Sequence, residues 1–253
     1  MMTITHGVQP EQPSHAPCVP EGTHVYVIGD IHGRSDLLAQ LHDQIEDDAR
    51  QRIATRKVLV YIGDYIDRSE GARQVLDTLT LSPLQGFEHV YLKGNHEDMF
   101  LRFMDAGGLG GPWMMNGGVA TMRSYGVNPE DIATGTSVGD EARSRILEIV
   151  PEAHLNFLRN LALVHIEGDY LFVHAGLRPG VDFERQDPTD LVWIRDEFLQ
   201  TEEIFPWMIV HGHSVHPCPD IRANRIGIDT GAYRSDTLTC LVLDGTERRF
   251  IQT

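Results

Sequence analysis

The sequence predicts an α/β protein in which two mixed β-sheets pack face to face with helices outside. Two observations carry that expectation. In the first half, short β-branched apolar runs alternate with amphipathic stretches of helical period. In the second half, strand-like runs follow one another closely, enough to supply a second sheet.

The elements follow in order. The first 22 residues, MMTITHGVQPEQPSHAPCVPEG, lack the basic start and apolar core of a secretory signal and read as a flexible tail. HVYVIGD is a strand, and SDLLAQLHDQIEDDARQ an amphipathic helix with Ser35 or Asp36 near its start. KVLVYIGD and EGARQVLDTLTL repeat the pair, as do FEHVYLKGN and HEDMFLRFMDAG. Between residues 106 and 160 the alternation breaks. A glycine-rich run, GGLGGPWMMNGGVATMRSYG, precedes SVGDEARSRILEIVPEAHLNFLRNL, one helical-looking stretch, and together they read as a mostly helical insertion that overhangs a site. LALVHI, YLFVHAG, WMIVHGH, RIGID, TLTCLVLDG and RRFIQ are then strands. Two successive halves, each feeding one sheet, is the simplest arrangement.

Composition narrows the function. The chain has 253 residues, 41% hydrophobic and 23% charged, which suits one large domain over residues 23–253 with that insertion. Net charge is −16 with no long basic run, which argues against capture of nucleic acid or an anionic membrane. No apolar run approaches a membrane span. Cys18, Cys218 and Cys240 lack CxxC spacing and read as reduced thiols of a cytoplasmic protein.

Five strands end in chemistry: GDIHGR (29–34), GDYIDR (63–68), GNHE (94–97), HAG (174–176) and HGHS (211–214). Ligands gather beyond the carboxyl ends of strands in open α/β sheets, so these clusters converge if the strands are right. Asp30, His32, Asp64, Asn95, His174 and His213 then form a set of oxygen and imidazole donors without thiolate. Such a set suits manganese first, with iron or zinc in its place. Six ligands exceed what one catalytic ion needs and match two ions sharing the Asp64 carboxylate. Two such ions would lower the pKa of a shared water and clamp a phosphoryl group. Asp67 is placed to orient His96, which would protonate the leaving alkoxide, while Arg68 and Arg195 would grip phosphate oxygens.

The order GDxHG, GDxxDR, GNHE, HAG, GH[ST] resembles the phosphoprotein phosphatase family of metal-dependent serine/threonine phosphatases. That family belongs to the calcineurin-like metallophosphoesterases, whose bacterial relatives include symmetrical diadenosine tetraphosphate hydrolases. The resemblance spans roughly residues 25–243 and implies a four-layer αββα sandwich with a dinuclear site at its edge. It implies Asp30, His32 and Asp64 at one metal, and Asp64, Asn95, His174 and His213 at the other. It implies His96 as proton donor supported by Asp67, Arg68 on phosphate and, less closely matched, Arg195. GH[ST] favours His213 over His211. Ser69 in place of the glycine of GDxxDRG, GHS in place of GHT, and Lys93 before GNHE favour a bacterial branch.

The implied activity is hydrolysis of phosphoserine, phosphothreonine or phosphotyrosine in proteins, the alternative being hydrolysis of a dinucleoside polyphosphate. The partner is accordingly a phosphoprotein or a phosphorylated small molecule. Arg34 and Tyr233 are candidates to border the substrate, with surface or packing roles the plainer reading, and Trp113, Met114, Met115 and Met122 read as core or lid packing.

Overall fold

In the computed structural model, residues 16–106, 110–128 and 138–253 are described. Ten strands form two five-stranded sheets among them. The first has the order β10-β9-β1-β2-β3, from β1 (Thr23–Ile28), β2 (Arg56–Tyr61), β3 (Glu88–Tyr91), β9 (Thr239–Asp244) and β10 (Glu247–Gln252). The second has the order β4-β5-β6-β8-β7, from β4 (Val164–Glu167), β5 (Tyr170–Val173), β6 (Met208–His211), β7 (Asp220–Ile221) and β8 (Arg225–Gly227).

The parallel β1–β2–β3 core matches the sequence reading. The division into two successive halves does not hold. After the second sheet is complete, β9 returns to pair antiparallel with β1, and β10 pairs antiparallel with β9. Burial gives the reason: β1 is buried along its whole length, so both its backbone edges need strand partners. β7 is too short to show a periodicity and was absent from the sequence reading.

Strand alternation builds the layers. Val25 and Val27 of β1, with Val58 and Val60 of β2, face Phe172 and Val210 of the second sheet in an apolar layer between the sheets. Tyr26, Ile28, Leu59 and Tyr61 point the other way, against α1 (Ser35–Arg50), α2 (Ala72–Leu81) and α3 (Asn95–Ala106). Leu37, Leu38, Leu41 and Ile45 supply the buried face of α1, each worth roughly 1.5–3 kcal/mol of transfer free energy. On the far side, Leu171, Val173 and Ile209 meet Leu191 of α8 (Pro188–Trp193) and Phe198 of α9 (Asp196–Leu199). The result is helix, sheet, sheet, helix.

The stretch after α3 holds α4 (Gly110–Trp113), a wider turn over Met114–Gly118, α5 (Val119–Ser124), α6 (Val138–Ile149) and α7 (Glu152–Arg159). The single helical stretch expected over 137–161 divides at Pro151, which stands as N-cap of α7 because a proline has no amide to continue the preceding helix. At the other end, the part of the expected tail that is described is tied to the fold at residues 17–19, although its neighbours on both sides are exposed. Val19 is buried, its N–H donates to Gly245 O at 3.1 Å, and Pro17 O accepts the Tyr170 hydroxyl at 3.2 Å. Residues 1–15 lie outside the described residues. No helix among the described residues is long and apolar enough to cross a membrane.

Candidate active site

The five expected clusters follow β1, β2, β3, β5 and β6 and meet beyond the carboxyl ends of both sheets. Sharp turns at these ends force unusual backbone. Of six non-glycine residues with positive φ among those described, five are His32, Asp64, Asp67, Arg68 and His213, with φ between 46° and 70°. Strain of this kind costs on the order of 1–3 kcal/mol per residue and persists where surrounding structure enforces it. Glycines let the carboxylates close in: a Cβ on Gly94 would sit 2.1 Å from Asp64 Oδ1, and one on Gly212 2.0 Å from Asp30 Oδ1.

Asp64 is the centre. Its Oδ2 lies 3.4 Å from His32 Nε2 and its Oδ1 3.4 Å from His174 Nε2. Ligand atoms of His32, Asp64 and His96 form one group within 4.8 Å, and those of Asp64, His174 and His213 a second. His32 Nδ1 donates to Ile66 O and His174 Nδ1 to Ile62 O, both at 3.0 Å. A carbonyl only accepts, so these contacts put the proton on Nδ1 and turn the Nε2 lone pair toward Asp64. Asn95 Oδ1 meets His174 Nε2 at 3.0 Å, and His213 Nε2 is buried without a partner. Acceptors thus face acceptors on both sides of Asp64. Burial lowers His32 to about 3 and His213 to about 2, and lowers His174 as well; this keeps all three imidazoles in the neutral, metal-binding form. Burial first, then the charges of Asp229 and Asp64, raise the Asp30 carboxyl well above the usual range. Negative charge in excess, with lone pairs converging on it, fits divalent cations. Asp30 lies outside both groups, its carboxylate accepting the His213 N–H at 3.0 and 3.3 Å.

His96 carries a second device. Its Nδ1 bonds Asp67 Oδ2 at 2.7 Å and its Nε2 receives Arg68 Nη2 at 3.2 Å. Burial lowers the imidazole, but Asp64 and the Asp67 hydrogen bond outweigh it and raise its pKa above the ordinary value. Arg195 precedes α9 and donates to Ser214 Oγ at 3.4 Å, on the His213 side of the cluster. His211 is buried with its ring edge-on to Phe198, outside both groups.

The sequence pattern of calcineurin-like phosphoesterases matches residues 23–242. The chain belongs to that family. It is 29% identical over 231 residues to serine/threonine-protein phosphatase 2 of Salmonella typhimurium, covering 85% of this chain and 91% of that protein. It is 28% identical over 233 residues to an asymmetrical bis(5'-nucleosyl)-tetraphosphatase of Anoxybacillus flavithermus, covering 85% and 88%. Among solved structures, the cold-active protein-tyrosine phosphatase of a psychrophilic Shewanella superposes with a TM-score of 0.57 at 15% identity, covering 99% of this chain and 92% of that one; at that identity the fold alone is shared.

Some residues of this phosphoesterase site escaped the sequence reading. Glu97 is fully buried, and its carboxylate takes the N–H groups of Asp64 (2.9 Å), Tyr65 (2.9 Å), Ile66 (3.3 Å) and Gly94 (3.0 Å). It staples the second motif to the third. Burial, then Asp64, pushes Glu97 up to about 8, while its amide partners pull the other way. Asp229 ends RIGID just as Asp30 ends HVYVIGD, and burial raises it to about 6; that shared strand-end pattern was the available signal. Tyr233 borders the site instead of packing elsewhere, its ring 4.5 Å beneath the Arg68 guanidinium and 5.4 Å from His32. Arg34 pairs with Asp36 and Asp236 at the surface, as expected.

Proposed function

We propose that this phosphoesterase is a phosphomonoesterase of the protein serine/threonine phosphatase type, working with two divalent ions, manganese first. The carrying observation is Asp64, whose two oxygens face His32 on one side and His174 on the other, each across 3.4 Å. In this reading Asp30, His32 and Asp64 hold one ion, and Asp64, Asn95, His174 and His213 the other. Bound there, the ions would supply Lewis acidity and make water a competent nucleophile near neutral pH.

The chain's own residues do the rest. Arg68 and Arg195 take phosphate oxygens in charge-assisted hydrogen bonds and fix the phosphorus in line for attack. With Arg68 turned from Nε2 to the phosphate, Nε2 is free to carry the proton that the His96 imidazolium releases to the departing alkoxide, and Asp67 holds Nδ1–H so that the ring stays oriented. Arg68 stands beside that Nε2 at 3.2 Å, so phosphate binding and protonation meet at one point.

A monoester suits the cleft better than a polyphosphate. The insertion arginines already have protein partners: Arg143 on Met104 O, Arg145 on Glu141, Arg159 on Asp105 and Arg123 on Glu70. Free thiols at Cys18, Cys218 and Cys240 support a cytoplasmic location. Hydrolysis of a dinucleoside polyphosphate is the second reading, favoured by the likeness to the Anoxybacillus tetraphosphatase. Phosphate release from a phosphoserine peptide and cleavage of diadenosine tetraphosphate, by manganese-loaded protein at matched concentrations, separates them. Faster turnover of the peptide supports the proposal; faster cleavage of the dinucleotide overturns it in favour of the second reading.

A further inference from the structure

The glycine-rich run after α3 has more to do than cover the site. Trp113 Nε1 donates to both Asp67 oxygens at 3.1 Å. Thr121 Oγ1 donates to Asp67 Oδ1 at 2.6 Å and accepts the Asp67 N–H at 2.8 Å. Arg68 N–H donates to Gly117 O at 3.1 Å. One stretch of nine residues therefore grips Asp67 and Arg68, both held at positive φ, while His96 bonds Asp67 Oδ2.

The glycines make this approach possible. A Cβ on Gly117, at φ 107°, would lie 2.8 Å from Arg68 N, and one on Gly118 would lie 2.5 Å from the Trp113 ring. The indole itself is immobilised, fully buried with its ring 4.9 Å from Phe103 and 5.1 Å from Phe100.

We propose that Trp113 and Thr121 are positioning residues for proton transfer by His96, so that the insertion sets the competence of the general acid as well as walling the cleft. Asp67 is wholly buried, and a buried carboxylate with one donor removed turns toward those that remain. With Trp113 and Thr121 in place, the Oδ2 lone pair left for His96 has one direction. Without them the Asp67–His96 contact loses its angle, and the imidazole its aim at the leaving oxygen.

This inference rests on the phosphomonoesterase reading, and leaving-group dependence separates the two. A general acid matters most where the leaving group is poor. Thr121→Val and Trp113→Phe are compared with the unaltered, manganese-loaded protein on phenyl phosphate and 4-nitrophenyl phosphate. Turnover of phenyl phosphate is expected to fall about tenfold or more, with less than about threefold change on 4-nitrophenyl phosphate, the pattern that His96→Ala is expected to show in stronger form. Thr121→Ser, which keeps the hydroxyl, recovers phenyl phosphate turnover.

A second readout needs no turnover. In the metal-free protein, where no paramagnetic ion broadens it, the His96 Nδ1 proton, bonded across 2.7 Å, is expected to give a low-field proton resonance that His96→Ala removes. The resonance is expected to persist in Thr121→Ser and to shift upfield or broaden in Thr121→Val and Trp113→Phe. Equal losses on both substrates, or an unmoved resonance in folded variants, overturn the positioning role. Should Thr121→Val fail to fold, Trp113→Phe, which keeps an aromatic ring in place, decides by the same two criteria. Failure of the unaltered protein to hydrolyse either monoester overturns the functional reading instead, and the resonance still tests the positioning.

Discussion

Gly94→Ala asks whether the close approach of the second and third motifs is what assembles the site. A methyl group there would lie 2.1 Å from Asp64 Oδ1, 2.5 Å from Asp64 N and 2.8 Å from Glu97 Oε2. Two of these are backbone or tightly held atoms, so the methyl cannot be absorbed by a flexible side-chain end. Asp64 Oδ1 must retreat by about 1.3 Å to reach ordinary contact, and displacements of about 1 Å already cost on the order of a hundredfold in turnover. The same oxygen faces His174 Nε2 at 3.4 Å, so metal affinity is expected to fall about 10- to 100-fold. Overpacking adds roughly 1–3 kcal/mol of destabilisation. Gly111→Ala is the control, since a Cβ there meets nothing within 4 Å. The assay is manganese titration by calorimetry, with elemental analysis of the recovered protein and urea denaturation in chelator. A Gly94→Ala protein that binds two ions with unaltered affinity and turns over at the original rate would refute the reasoning.

Asp64→Asn should lose metal because one of its two oxygens becomes an amide nitrogen that cannot serve as a ligand; elemental analysis showing both ions retained would count against Asp64 as the shared ligand. His42 predicts part of the acid sensitivity of the fold. Burial lowers its imidazole to about 4 from 6.5, and Tyr61 Oη shares a hydrogen bond with its Nε2 at 2.9 Å. The unfolded chain therefore binds a proton that the native state refuses, so this stability is intact above about pH 6.5 and drains away as pH falls toward 4. At pH 4.5 the loss comes to about 2–3 kcal/mol. His42→Gln should flatten the urea-midpoint profile over that window by a comparable amount, and parallel profiles in the two proteins would sink the idea.

That the strand-end clusters meet at one place was legible because each is local. A strand, a glycine-bearing turn and a donor within a few residues form one unit, and parallel strands then carry the units to a common edge. His32, Asp64, Asn95, His174 and His213 could be read for that reason. What stayed hidden depends on partners far along the chain. The amides of Asp64, Tyr65 and Ile66 that Glu97 accepts lie 31 to 33 positions away, and the Asp67 carboxylate to which Trp113 and Thr121 donate lies 46 and 54 positions from them. No periodicity marks such pairings. Trp113 was read as packing, which it is, since the indole ring fills the core while its one N–H reaches the site.

The same distinction explains the misplaced strands. Hydrophobic pattern identifies β9 and β10 as strands but is indifferent to which sheet they join. The choice follows from β1, a strand buried on both faces with β2 on one edge, whose other row of N–H and C=O groups would be orphaned at a cost of roughly 1–3 kcal/mol each. β9 satisfies that edge, and Gly29, just past the end of β1, donates to Thr239 O at 3.0 Å. A Cβ on Gly29 would stand 2.6 Å from Ile228 O, so the first motif is wedged between the returning strand and the strand end that carries Asp229. The chain's return thus closes the first sheet beside the first of the proposed ligands. The C-terminal strands, which bear none of the proposed ligands, help hold Asp30 and His32 where the site requires them.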